Sequence, residues 1–273
     1  YIDDLCYGCP VYRISISSRH YYCLIIVNLN ICPLMIKPYQ KSNSSKKNQI
    51  EKMFDKISND YDFLNWVITF NNHDRWKKNI LSIAKKFKPV NALDIATGTA
   101  DIAIKLADIP NCKVVGIDIS EQMLDVGRKK IRKNKLEKLV SLETGDAEDL
   151  NYNDNFFDLI TIGFGVRNFQ DLEKGLGESF RVLKSNGHMI ILETSVPENK
   201  VVRLLYSFFT RTYIPLIASI FSKDKLAYQY LLNSAESFPS GKKFKNILEK
   251  VGFKNILIKP KLLGSSTIYI ASK

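Results

Sequence analysis

Short continuous apolar runs punctuate the central part of the chain, at Val90-Asn-Ala-Leu-Asp-Ile95, Val114-Val-Gly-Ile-Asp118, Leu139-Val-Ser-Leu-Glu143, Phe156-Phe-Asp-Leu-Ile-Thr-Ile162 and His188-Met-Ile-Ile-Leu-Glu193. Their length and lack of strict alternation predict strands buried on both faces. Segments of helical spacing lie between them, such as Ile102-Ala-Ile-Lys-Leu-Ala107 and a helix from about Leu172 to Leu183 that stops at Asn186-Gly187. Strand alternating with helix specifies an α/β fold with a parallel sheet and right-handed crossovers. A last helix, Gly241 to about Val251, precedes Phe253–Lys259 and Thr267–Ala271, which predict a terminal antiparallel pair.

The sheet region has a helical preface over 44–88. From Ser44 to Asn59 the apolar residues Ile50, Met53, Phe54 and Ile57 lie at helical spacing. Tyr61-Asp-Phe-Leu-Asn65 and Trp66–Phe70 follow, then a polar turn over Asn71–Asp74 and a helix from Arg75 to about Phe87 with Trp76 and Ile80 on one side. After the fifth strand, Val201–Phe221 is rich in aromatics but carries Arg203, Arg211 and Pro215, which argue against a membrane-spanning helix. It reads as part of a helical lid or apolar substrate wall over about 197–240, with ordinary core packing as the alternative.

The first strand breaks into Asp94-Ile-Ala-Thr-Gly-Thr-Ala-Asp101, and Asp118 closes the second strand 20 residues after Gly98. That is where an open α/β sheet holds an adenosine-bearing cofactor, with a carboxylate on the ribose hydroxyls. A dinucleotide site wants a second glycine for its pyrophosphate; here Ala100 stands in that place, and Asp101 would set a carboxylate beside any phosphate. S-adenosylmethionine has no phosphate and carries an ammonium, so the turn favours it over NAD, with Asp94 or Asp101 facing the amine. Asp101 reads equally as a helix cap.

Residues 1–34 differ from the rest. They precede the first Met, hold four of the five cysteines (Cys6, Cys9, Cys23, Cys32) and show no sustained period, so they read as a non-native or disordered extension before a single domain over 35–273. The run from Tyr21 is too short to span a bilayer. The Cys6-x-x-Cys9 pair alone cannot build a closed zinc site, and no metal is expected. From Met35 onward only Cys112 remains, as in a reducing cytoplasm. The formal charge of +12 lies wholly in that later part and favours an anionic partner. The lysines, among them Lys46, Lys47, Lys77, Lys78, Lys129 and Lys130, are spread along the chain, as on a solvated basic face.

Four segments together resemble one family: Tyr61–Asn65 with Trp76, the turn Asp94–Asp101, Gly163-Phe-Gly-Val-Arg-Asn168, and Arg181-Val-Leu-Lys-Ser-Asn-Gly-His-Met-Ile-Ile-Leu-Glu-Thr-Ser195. They look like the class I methyltransferases that C-methylate the quinone ring in menaquinone and ubiquinone biosynthesis. The resemblance covers about Met35 to the end. It implies a Rossmann-like seven-stranded sheet and S-adenosylmethionine as donor, with Thr99 at the cofactor's amino-acid end, Asp118 at the ribose, and Asp146 with Ala147 at the adenine edge. Three positions depart from the pattern. Ala100 replaces a usual glycine, so the cofactor is expected farther from that backbone. Gly163 replaces a serine beside the cofactor, leaving only backbone there. Phe238 replaces a histidine found in some members, which excludes a base at that position.

Ring C-methylation needs a deprotonated quinol hydroxyl to push charge onto the neighbouring carbon, and a dry pocket that stabilises the phenolate. Arg167 and Asn168 at the carboxyl end of strand four are the expected catalytic pair, Arg167 stabilising and Asn168 orienting the oxygen, with water or His73 relaying the proton. The expected substrate is a polyprenyl quinol, demethylmenaquinol before a benzoquinol. Its tail stays in lipid, so the protein is expected in the cytoplasm, in peripheral contact with the anionic inner face of the membrane. Nucleic acid is not expected: there is no Asn- or Asp-Pro-Pro-aromatic motif after strand four, and Cys112 precedes strand two rather than standing at the sheet's carboxyl edge as a cytosine-attacking nucleophile would. The rivals are another small-molecule O- or N-methyltransferase and a non-enzymatic cofactor-binding subunit. A homodimer is left open.

Overall fold

A computed structural model describes residues 36–69, 72–221 and 224–273. The expectations for residues 1–34 lie outside these residues.

The sheet is built from β1 (Asn91–Ile95), β2 (Lys113–Asp118), β3 (Val140–Thr144), β4 (Phe157–Gly163), β5 (Leu183–Thr194), β6 (Lys254–Lys261) and β7 (Ser266–Ser272). Its seven strands run in the order β3-β2-β1-β4-β5-β7-β6. The first five are mutually parallel, and β7 inserts antiparallel between β5 and β6. The strand order reverses beside β1, so the carboxyl ends of β1, β2 and β4 open a crevice there, where α/β sheets bind ligands.

Successive strand residues feed opposite faces. Leu93, Ile95, Ile160 and Ile162 join one buried layer with Leu172 and Leu176 of α5 (Leu172–Val182) and Phe244 and Leu248 of α9 (Lys242–Val251). Ala92, Leu159, Ile190 and Leu192 join the other, with Trp76 and Ile80 of α2 (Asn72–Ala84) and Ile102 and Leu106 of α3 (Asp101–Leu106). Strands buried on both sides are what the uninterrupted apolar runs require.

Three boundaries differ from the sequence expectation. The lead-in helix does not end near Asn59: α1 runs from Lys46 to Thr69 because the apolar stripe Ile50, Met53, Ile57 continues to Leu64, all packed on Met123 of α4 (Glu121–Lys133) and on Ala227 and Tyr228 of α8 (Lys225–Ser237). Helix α2 takes in Asn72, His73 and Asp74, so His73 stands in a helical first turn rather than a polar loop. Asp74 suits that turn through the helix dipole and pairs with Lys78 and Lys105. Strand β5 starts at Leu183 rather than His188, because fully buried Leu183 pairs with Phe157 and draws Asn186-Gly187 into the strand; Asn186, at φ 65°, then carries the irregular register between Leu183 and His188.

After β5 come α6 (Lys200–Phe208), a π turn (Phe209–Tyr213), α7 (Ile214–Phe221) and α8. The π turn ends two residues before Pro215, whose missing N–H and ring break the regular ladder. Among the described residues no helix is long and apolar enough to cross a membrane.

Candidate active site

The turn after β1 and the end of β2 form one hydrogen-bonded unit. Asp118 accepts from the backbone N–H of Gly98 at 2.8 Å through Oδ2 and from that of Ser120 at 2.9 Å through Oδ1. Burial raises its pKa to about 6, against the pull of those N–H donors. Gly98 lies at φ 55°, and a Cβ built on it would meet nothing within 4 Å, so the turn presents bare backbone to open space.

Asp94 lies beneath this turn. Its carboxylate accepts from Thr97 and Thr161 hydroxyls, both at 2.6 Å, and is buried to 1% exposure. Burial again raises the pKa to about 6. Asp94 borders neither cavity described below, which corrects the expectation that it faces a cofactor amine; it braces the turn from behind instead.

Two cavities meet over the sheet. The smaller, about 80 Å³, is bordered by Asp118, Asp146, Ala147 and Asn168 and roofed by Lys47, Ile50 and Phe54 of α1. The larger, about 430 Å³ and mostly apolar, is bordered by Thr99, Asp101, His73, Lys77, Arg167 and the helices after β5. Tyr61, Ala96, Gly98, Gly163 and Phe164 border both.

Arg167 and Glu193 form a buried ion pair, with side-chain exposures of 8% and 0%. Burial alone would lower the pKa of Arg167; the carboxylate outweighs it, and the guanidinium stays above its ordinary value. One guanidinium NH₂ also donates to Phe164 O at 2.9 Å, while Nε–H is buried without a partner among the described residues. The side chain therefore serves the fold and still presents a cation to the chamber.

Asn168 borders the smaller cavity, not the chamber, and its Oδ1 accepts from the Tyr230 hydroxyl at 3.1 Å. This corrects its expected position beside the acceptor oxygen. His73 does border the chamber, with Nδ1 3.1 Å from Thr69 Oγ1. Burial, followed by Lys77, lowers its pKa to about 4, so it is neutral at pH 7 and a weak base. Phe238 packs in the core on Phe244 and borders neither cavity.

The charged residues around the turn are not a solvated face. Lys77 and Lys130 both pair with Asp101, and Lys130 also binds Asp62 and Thr99 Oγ1. Burial raises the Asp101 pKa, but the two lysines overcompensate and bring it to about 2. Its charge already balanced by Lys77 and Lys130, Asp101 does not by itself repel a phosphate, contrary to the expectation from sequence. Lys46 is buried, its pKa lowered to about 8 chiefly by burial, and it donates to Arg167 O at 3.1 Å and Phe169 O at 2.7 Å, clamping α1 to the loop after β4. Lys47 donates to Asp146 Oδ2 at 2.6 Å.

The three departures from the family pattern resolve locally. Ala100 sits at φ 65° with its methyl buried toward Gly127 of α4; it borders neither cavity, so it does not push a ligand away. At Gly163 an added Cβ would lie 2.3 Å from Ile102 Cδ1, so Ile102 fills the place a serine side chain would need. The Phe238 position lies off the site. Tyr61, which touches both cavities, was legible only as part of a motif, and Phe54 and Lys47 only as helix positions.

Residues 41–273 match the ubiE/COQ5 methyltransferase family. A demethylmenaquinone methyltransferase of Bacteroides fragilis is 39% identical over 240 residues, covering 87% of this chain and 97% of the relative. That of Chlorobaculum parvum is 37% identical, covering 84% and 95%. A ubiquinone/menaquinone biosynthesis C-methyltransferase UbiE of Geobacter sulfurreducens is 36% identical, covering 84% and 90%. A SAM-dependent methyltransferase structure from Thermotoga maritima superposes with a TM-score of 0.54 at 19% identity, covering 81% of this chain and 99% of its own. One from Aquifex aeolicus gives 0.51 at 19%, covering 70% and 87%. The sheet is that of the class I methyltransferases, the cofactor is S-adenosylmethionine, and the chain belongs to the ubiE/COQ5 methyltransferase family.

Proposed function

We propose that the protein transfers the methyl group to a ring carbon of a polyprenylated quinol, with demethylmenaquinol as the acceptor. The observation that carries this reading is Arg167, a buried cation whose Nε–H has no partner among the described residues, in the wall of an apolar chamber that meets the smaller cavity along Gly98, Gly163 and Phe164. The names of the Bacteroides and Chlorobaculum relatives support the naphthoquinol head.

Bound S-adenosylmethionine supplies an electrophilic methyl group. Asp118 takes the ribose hydroxyls with the lone pairs its two backbone bonds leave free. Asp146 and Ala147 take the adenine edge, Lys47 yielding its place on Asp146. Thr99 and Asp101 receive the amino-acid end. In the chamber, Arg167 stabilises the quinol oxygen as it loses its proton, which puts electron density on the adjacent ring carbon. Asn168 holds Tyr230 and the loop that carries Arg167. His73, neutral and weakly basic, orients water or the hydroxyl by hydrogen bonding; the proton leaves through water.

The chamber mouth supports peripheral membrane contact at the inner face. Val201, Leu204, Leu205 and Phe208 of α6, with Leu263 on the turn before β7, are 66–78% exposed. Leu205 and Leu263 also border the chamber. A polyprenyl tail leaving the chamber there passes directly into lipid.

The test is an assay with labelled methyl donor against naphthoquinol and benzoquinol head groups, followed by locating the label. A label on the naphthoquinol ring carbon is expected. A label on oxygen or nitrogen overturns the reading, and a label on the benzoquinol alone reassigns the substrate.

A further inference from the structure

Lys77 carries an ammonium into the chamber wall that the reaction so far leaves without a task. Its side chain is 14% exposed, and among the described residues its Nζ donates only to Asp101 Oδ2, at 2.5 Å. An ammonium has three donors. The neighbouring Lys130 commits all of its own, to Asp62 Oδ2 at 2.5 Å, Asp101 Oδ1 at 2.6 Å and Thr99 Oγ1 at 2.9 Å. Asp74, the other acid on α2, is engaged by Lys78 and Lys105. Among the described residues Lys77 thus keeps donors to spare, and it borders the chamber beside Thr99 and Asp101.

These residues adjoin Gly98, where the two cavities meet. With the ribose on Asp118, an amino-acid end that enters the chamber past Gly98 would meet the Lys77–Asp101 pair in its wall. We propose that Lys77 binds the α-carboxylate of that end while Asp101 takes the α-ammonium, so that the pair reads the zwitterion. Charge balance favours the exchange. Lys77 and Lys130 offset Asp62 and Asp101, and a zwitterion adds no net charge, so no buried ion loses its counter-charge. The inference rests on the reading that S-adenosylmethionine binds in this crevice.

Calorimetry with two ligands tests it: S-adenosylhomocysteine, which has the amino-acid end, and 5′-methylthioadenosine, which lacks it. Lys77→Met is expected to weaken S-adenosylhomocysteine by about tenfold or more and leave methylthioadenosine within about twofold, with Lys77→Arg restoring most of the loss. Asp101→Asn should show the same selectivity. Retained methylthioadenosine binding reports that the variants are folded. Equal loss for both ligands, or no loss for either, overturns the assignment. Asp118→Asn should weaken both alike; if it spares both while Lys77→Met stays selective, the ribose placement fails and the Lys77 assignment stands.

Discussion

The backbone N–H of Gly98 donates to Asp118 Oδ2 at 2.8 Å, joining the turn after β1 to the carboxyl end of β2. The acid that would hold the ribose also fixes the turn beneath it, and burial has moved its pKa up to about 6. Above that value it is a carboxylate able to accept two hydroxyls; below it, one oxygen carries a proton. Cofactor affinity should therefore fall by about tenfold between pH 7 and pH 5, and this dependence should vanish in Asp118→Asn. Asp94 is also raised to about 6, so a dependence that survives in Asp118→Asn would assign the titration there.

Gly98 has a left-handed φ of 55° and open space where a side chain would stand. Gly98→Ala should cost about 1 kcal/mol of stability through backbone strain alone. Its methyl would enter the space shared by both cavities, so calorimetry should show a larger loss of cofactor affinity, about tenfold or more.

The Arg167–Glu193 pair supports both fold and chemistry. Arg167→Met leaves Glu193 buried and uncompensated, which should cost about 3–5 kcal/mol in denaturant unfolding, and should lower kcat about a hundredfold through loss of phenolate stabilisation. Adding Glu193→Gln should recover most of the stability and none of the turnover. Turnover that returns with stability would leave Arg167 a structural role only.

His73 stays neutral at working pH because burial holds its pKa near 4. A kcat profile between pH 5 and 8 should show no histidine titration, and His73→Gln should keep kcat within about tenfold, since a neutral hydrogen-bonding group replaces another. A loss comparable to that of Arg167→Met would make His73 the proton acceptor.

The apolar mouth together with the net charge of +12 predicts salt-sensitive vesicle binding with a defined footprint. The protein should pellet with anionic vesicles and be released by high salt. Leu204→Glu with Phe208→Glu should abolish pelleting and slow turnover of long-tailed quinols, yet leave a short-tailed soluble analogue unaffected. Binding that ignores salt would argue for apolar insertion alone.

The burial of both sheet faces follows from features the chain carries locally. Apolar runs such as Leu159–Ile162 have one stable environment, between two helical layers, and the glycine turn needs a left-handed residue wherever it folds. The glycine turn at the crevice was legible for that reason, as was the position of Asp118 at the end of its own strand. Boundaries were legible only where nothing distant competed. Leu183 left its helix because Phe157 offered a buried partner, and α1 continued past Asn59 because α4 and α8 supplied a surface for Leu64.

Charges were read least well from sequence, because the sign of a residue says nothing of its neighbours. Lys46, Lys47, Lys77 and Lys130 look alike along the chain. Packing buried Lys46 under two carbonyls, set Lys47 on Asp146, and gathered Lys77 and Lys130 on Asp101. Asp94 and Asp101, seven residues apart in sequence, became a brace behind the turn and a partner at its rim. The sequence by itself determined the layered sheet and the glycine turn at the carboxyl end of its first strand, since hydrophobic period and backbone conformation are local. Tertiary structure alone decided which ions face the cavities and which support the walls, because electrostatic partnership depends on distances that only folding creates.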